Sequence, residues 1–227
     1  ASLIANTLQY SITYTGLNYI DASAAVLLVQ TEVPFGVIFA YFMLREKPTI
    51  RALIGIAVAF VGVYILTGSP NLDGKFFGIT LTIVGSAIWA LGQVIVKPLS
   101  KEINPLALVA WLALFSGPLL IALSSIIDGG TIRYLSEAKF NHWVIAFYIG
   151  FIMQPVTYGC FYYVLKNNPL YKVLPIVTMG IPPTGLLAAI FLLGEKPTYE
   201  LFIGGAIIIV GVVLIIFTKN KIEEVEK

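Results

Sequence analysis

Histidine and cysteine are almost missing from this 227-residue chain, which has one of each. A lone Cys160 forms no intrachain disulfide and no thiolate cluster, and a lone His142 removes most metal and triad chemistry. No catalytic residue, metal site or cofactor is therefore expected. Charge is scarce too. Only 11% of residues are charged, against about a quarter in ordinary soluble proteins. The net charge of +2 comes with no basic cluster, so nucleic acid is not an expected partner. Polar interruptions are also few: 58% of residues are hydrophobic and the mean hydropathy is +0.91. Segments apolar on every side suit lipid and not water. Barrel strands are about 10 residues of alternating polarity, whereas the runs here are longer and do not alternate. With no water in the bilayer to bond the backbone, the runs must be helices. The fold class expected is all-α, a polytopic membrane helical bundle.

A span needs about 20 mostly apolar residues. Runs bounded by charges, prolines and glycine turns give eight: 2–19, 22–44, 49–67, 76–97, 105–127, 142–165, 170–193 and 199–218. Connectors are short except 128–141, and residues 219–227 read as a charged cytoplasmic tail. Ala1 leads straight into an apolar run with no basic stretch before it, which is not the pattern of a signal peptide.

One stretch occurs twice. Leu44-Arg45-Glu46-Lys47-Pro48-Thr49 returns as Leu193-Gly194-Glu195-Lys196-Pro197-Thr198, 149 residues on. The same offset carries Tyr14 onto Tyr163, Pro34 onto Pro183, Gly36 onto Gly185, Gly55 onto Gly204 and Gly62 onto Gly211. Each copy is an apolar run with a proline inside it, a tight polar turn, and a second run with glycines seven apart. Alternating the connectors across the membrane puts ten basic residues, Arg45, Lys47 and Lys101 among them, on one side and four on the other. Basic loops stay cytoplasmic, so the first turn and the C-terminus are expected inside. The second turn lies an odd number of spans later and faces outward, so the repeat is inverted. Inverted repeats accompany a central site opened alternately to each side. The offset implies a five-span unit; residues 76–218 hold five spans and residues 1–67 only three. The first repeat thus reads as incomplete, with a further helix pair expected ahead of residue 2.

These features (a proline within an apolar run, Leu-x-Glu-Lys-Pro-Thr, a helix with glycines seven apart, all twice) resemble the EamA-type branch of the drug/metabolite transporter superfamily. Trp89 in Ala87-Ile88-Trp89-Ala90-Leu91 fits the start of that family's second half. The resemblance implies a basket of helices around a central cavity and the movement of small metabolites, such as amino acids, across the cell membrane. No phosphate-binding Gly-x4-Gly-Lys-Ser/Thr motif is present, so the driving force expected is a gradient.

Polar residues inside spans usually face a cavity or another helix. At helical spacing Asn6, Gln9 and Thr13 share one face, as do Ser86, Trp89, Gln93 and Lys97, and Gln154, Thr157 and Tyr158. Three spans with an amide on one stripe point to a shared polar cavity, with Gln9, Trp89, Gln93, Gln154 and Tyr158 as its solute-binding groups and Trp111 or Tyr162 as a wall. The rival reading is a set of interhelical hydrogen bonds worth about 0.6 kcal/mol each. Glu32 stands mid-span beside Gln30, two residues before Pro34, and is the expected proton-coupling or solute-binding residue, with Lys97 its candidate counter-ion. Pro34 and Pro183 remove backbone donors and bend helices, as static kinks or gates. Glu46 and Glu195 read as turn caps. The partners expected are lipid, a small solute and a proton, and the function expected is secondary transport. A passive channel or a structural membrane protein is the alternative.

Overall fold

The computed structural model describes residues 3–69, 72–127 and 135–216. Among them there is no strand. We number the helices in chain order. Helix α1 has a π-helical start, Leu3–Leu8, running into Gln9–Leu17. It is followed by α2 (Ala22–Leu44), α3 (Ile50–Thr67), α4 (Phe76–Glu102), α5 (Pro105–Ile127), α6 (Phe140–Asn167), α7 (Leu170–Leu193) and α8 (Tyr199–Ile216). Among the described residues seven helices, α2 to α8, are long and apolar enough to cross a membrane. Of the eighth expected span, 2–19, the described helix covers Leu3–Leu17. It stops at Leu17, where the Asn18 and Tyr19 N–H groups turn back onto Thr15 and Gly16. The charged tail 219–227 and Arg133 lie outside the described residues.

Helices α3 and α8 pack backbone against backbone, and glycine is the reason. A Cβ on Gly55 would stand 2.6 Å from the Gly211 carbonyl oxygen, and one on Gly62 would stand 2.7 Å from the Ile208 nitrogen and 2.8 Å from the Gly204 oxygen. The reverse contacts match: Gly204 against Gly62, Gly211 against Gly55. Low residue numbers on one helix meet high numbers on the other, so the two copies of the Gly-x6-Gly helix run antiparallel. In lipid, where apolar burial supplies no drive, such close backbone approach is what holds helices together.

The two polar turns are built alike. Arg45 (φ 55°) and Gly194 (φ 68°) end their helices in the left-handed conformation, which turns Glu46 and Glu195 away from their own helices. Each carboxylate then caps a helix of the other copy. Glu46 accepts from the Leu170 and Tyr171 N–H groups at the start of α7, at 3.1 and 3.3 Å. Glu195 accepts from the Ala22 and Ser23 N–H groups at the start of α2, at 2.8 and 2.9 Å. A cation attends each site. Lys97 pairs with Glu46 in a largely buried bridge. Lys75 pairs with Asp21 at 3.1 Å, and its charge also acts on Glu195. The expectation of turn caps therefore holds, but the helices capped belong to the opposite repeat.

Helices α2 and α7 are also interrupted at matching places. A 3₁₀ turn over Val29–Thr31 divides α2, and a turn at residues 179–180 divides α7, again 149 residues on. Prolines account for both breaks. Pro34 leaves the Gln30 carbonyl without its helical donor, and Pro182 and Pro183 do the same to Thr178 and Met179. One vacancy is filled across the repeats: Gln30 Nε2 donates to the Thr178 carbonyl at 3.3 Å.

Two tests follow. Gly62→Ala must push α3 from α8 by tenths of an ångström, so we expect a loss of about 1–3 kcal/mol, as for overpacking elsewhere, read as a lower unfolding temperature in detergent. Full stability would remove glycine contact as the determinant. The second test concerns Glu195. Burial acts to raise its pKa, but the Ser23 side chain, the Ser23 and Ala22 N–H groups and the Lys75 charge outweigh that and hold it below the ordinary value. A depressed folded pKa contributes stability that is complete above the unfolded value, about 4.3, and is lost as pH falls through the lower folded value. Glu195→Gln should cost about 1 kcal/mol, the usual worth of a helix cap, and flatten that acid limb of the stability curve. An unchanged acid limb would assign it to other groups.

Candidate functional site

Helices α1 and α6 both contain π-helical turns, Leu3–Leu8 and Tyr148–Met153. A π turn carries an extra residue and changes which side chains share a face. Together with α5, these helices enclose a cavity of about 690 Å³, within the usual range for small-molecule sites. Asn6 and Tyr10 line it from α1, Leu112 and Ser116 from α5, and Phe151, Gln154, Tyr158 and Tyr162 from α6. Among the described residues, no Asp, Glu, Lys, Arg or His lines it.

The polar lining forms a connected chain. Gln154 Nε2 donates to the Tyr10 hydroxyl at 3.1 Å. The Tyr10 and Tyr158 hydroxyls lie 3.5 Å apart. Trp89, behind the wall on α4, donates through Nε1 to the Tyr158 hydroxyl at 3.4 Å. Asn6 Nδ2 donates to Ser116 Oγ at 3.4 Å on the facing side. Tyr158 also packs edge-on against Phe161, which tilts against Trp89. The network thus ties α1, α4 and α6 together.

The structure brings together five of the residues singled out from the sequence: Asn6, Trp89, Gln154, Tyr158 and Tyr162. Gln9 lies elsewhere. It is buried and donates to Thr13 Oγ1 at 3.3 Å. Thr13 sits where a Cβ on Gly85 of α4 would fall, and Ala5 does the same at Gly92, so this face of α1 is its seam with α4. Helical spacing allows Asn6 either Gln9 at i+3 or Tyr10 at i+4 as a neighbour, and the structure turns Asn6 and Tyr10 to the cavity. Tyr10 was missed, and Ser116 gave no signal in an otherwise apolar helix. Gln93 is fully buried, and neither amide atom has a hydrogen-bond partner within 3.5 Å among the described residues. Of the suggested walls, Tyr162 lines the cavity. Trp111 is absent from the lining; it is exposed and stacks on Phe115.

Glu32 and Gln30 stand apart from the cavity, at the break in α2. Glu32 is 5% exposed and has no hydrogen bond or ion pair among the described residues. Lys97 is not its counter-ion, because its ammonium is taken by Glu46 at the end of the helix. Pro34 is buried at the same break, and Pro183 is in the first turn of the second half of α7. Both sit where a helix is interrupted, as bends require.

Comparison with known proteins agrees with this architecture. Residues 1–68 and 76–217 match the model of the EamA-like transporter family. A protein of Escherichia coli strain K12 named "Probable amino-acid metabolite efflux pump" is 28% identical over 218 residues, covering 92% of this chain and 72% of its own length. Its namesake in Salmonella typhimurium is 26% identical over 221 residues, with the same coverage. An uncharacterized transporter of Clostridium kluyveri is 26% identical over 232 residues, covering all of this chain and 72% of its own. A polytopic helical bundle with an internally repeated hairpin, matched by one family model over nearly all its length, places this chain in the EamA-like transporter family.

Proposed function

We propose that this chain serves as a secondary transporter of small organic solutes, amino-acid-like or drug-like, working by alternating access across the cytoplasmic membrane. The observation that carries the reading is the cavity of α1, α5 and α6, with a hydrogen-bonded chain of two phenols, an amide and an indole inside an apolar wall. Two relatives bear names of amino-acid metabolite efflux pumps, which supports the solute class. The cytoplasmic face carries the first polar turn and the C-terminus, on the ten-to-four bias of basic residues. Cysteine labelling from outside intact cells, in a Cys160→Ala background, checks this. Leu135→Cys should react and Lys47→Cys should not; the opposite pattern reverses the topology.

Glu32 supplies the proton coupling in this reading. The helices packed on its turn, α3, α4 and α7, carry charge only near their ends: Arg51, Lys97, Lys101, Glu102 and Lys172. Their other titratable groups are Tyr64 on α3 and Tyr171 on α7. A mid-membrane carboxylate without a counter-ion is costly when ionised, so it takes up and releases a proton as its surroundings open. In proteoliposomes, wild-type flux should respond to an imposed proton gradient. Glu32→Gln should insert normally yet show flux that no longer varies with pH. A wild-type pH profile in that variant would sink the coupling role, and flux linear in solute concentration and blind to the gradient would point to a passive channel.

A further inference from the structure

The cavity's hydrogen-bond chain can be counted. It has four donor hydrogens, from Trp89 Nε1, the bonded N–H of Gln154, and the two hydroxyls of Tyr10 and Tyr158. It makes three bonds, Trp89 to Tyr158, Gln154 to Tyr10, and one between the phenols. Whichever phenol donates in that last bond, the other keeps its own hydrogen. If Tyr158 donates, Tyr10 accepts twice and its hydrogen is free; if Tyr10 donates, Tyr158 accepts twice and its hydrogen is free. One phenolic hydrogen is thus always left for the cavity. The amide oxygen of Gln154 makes no hydrogen bond and is the complementary acceptor on the same wall.

Every polar group of this lining is neutral, and its apolar part includes Phe151 and Leu112. An ionised group placed there meets no opposite charge and loses hydration that neutral dipoles only partly replace. Resting on the reading of this cavity as the solute site, we infer that of the two solute classes it favours the drug-like one over zwitterionic amino acids: it selects solutes with an uncharged polar end, an oxygen that accepts the spare phenolic hydrogen next to an N–H or O–H returned to Gln154, carried on an aromatic body. A primary aromatic amide has all three features. The matching carboxylate and ammonium each lack one and add a charge.

The test uses the full chain in nanodiscs, with saturable binding of benzamide, benzoate, benzylammonium and toluene followed through tryptophan fluorescence. Benzamide should bind about tenfold or more tighter than either ion, a difference of about 1.4 kcal/mol. Tyr10→Phe and Tyr158→Phe each leave one phenolic hydrogen and should weaken benzamide by about threefold at most. The double variant removes both hydroxyls of this chain, leaving Tyr162 as the remaining phenol of the lining, and should lose about tenfold or more, out of proportion to the singles, while toluene binding persists. Equal affinity for benzamide and either ion overturns the inference, as do tenfold losses in both single variants. If the double variant also loses toluene, its cavity is disrupted and the wild-type ranking with the single variants decides. Counterflow of benzamide in proteoliposomes separates the two readings. Binding in this order without counterflow sinks transport through the cavity and leaves the selectivity standing; counterflow of benzoate at the benzamide rate does the reverse.

Discussion

A helix that begins at the edge of a bilayer has N–H groups with no helical partner, and an apolar sequence has few side chains to offer them. In this protein the deficit is met by two carboxylates that belong to the wrong helices. Glu46 leaves the end of α2 and caps α7, while Glu195 leaves the end of α7 and caps α2. Each cap joins the positive end of a helix to a negative charge, and each ties one repeat to the other. Because α2 and α7 are antiparallel, the caps lie at opposite ends of the pair. The left-handed stops at Arg45 and Gly194 exist to make this reach possible.

The same reciprocity recurs deeper in the bundle. Gly36 of α2 approaches Leu174 of α7, and Gly185 of α7 approaches Val26 of α2. Gln30 joins the two helix breaks at mid-length. Helices α2 and α7 are therefore fastened at both ends and in the middle. Helix α6 has no such fastening: its first half, from Phe140 to Met153, has no buried residue, and its link to α1 is a chain of long neutral hydrogen bonds. Neutral bonds of that kind are worth about half of charge-assisted ones. The mechanical contrast is between a crossed pair held by ions and a cavity wall held by phenols.

What the sequence made legible follows from this division. Repetition at a fixed offset exposed Glu46, Glu195, the prolines and the glycines, because an inverted repeat must use each contact twice. The membrane runs were legible from hydropathy alone. Tyr10 was not, because Asn6 has neighbours at both i+3 and i+4 and spacing alone does not say which of Gln9 and Tyr10 turns to the cavity. Lys97 was misassigned because depth along α4 said nothing of which acid it would meet. Gln9 and Gln93 have the composition of cavity residues and lie instead in seams between helices, a distinction that only packing resolves.

The repeat also explains where specificity can reside. At the offset of 149, the positions that join the two repeats pair like with like: Glu46 with Glu195, and Gly36, Gly55 and Gly62 with Gly185, Gly204 and Gly211. Cavity positions do not. Asn6 is matched by Pro155, Tyr10 by Gly159, Gln154 by Ala5, and Tyr158 by Gln9. A contact made twice by symmetry cannot change in one copy without unbalancing the other, so the caps and glycine seams are constrained in pairs. Among the described residues, the cavity's polar side chains make no contact that is repeated in the other copy. The polar lining is free to differ between the halves, and an asymmetric solute, with an acceptor at one point and a donor at another, requires a wall that differs in just this way.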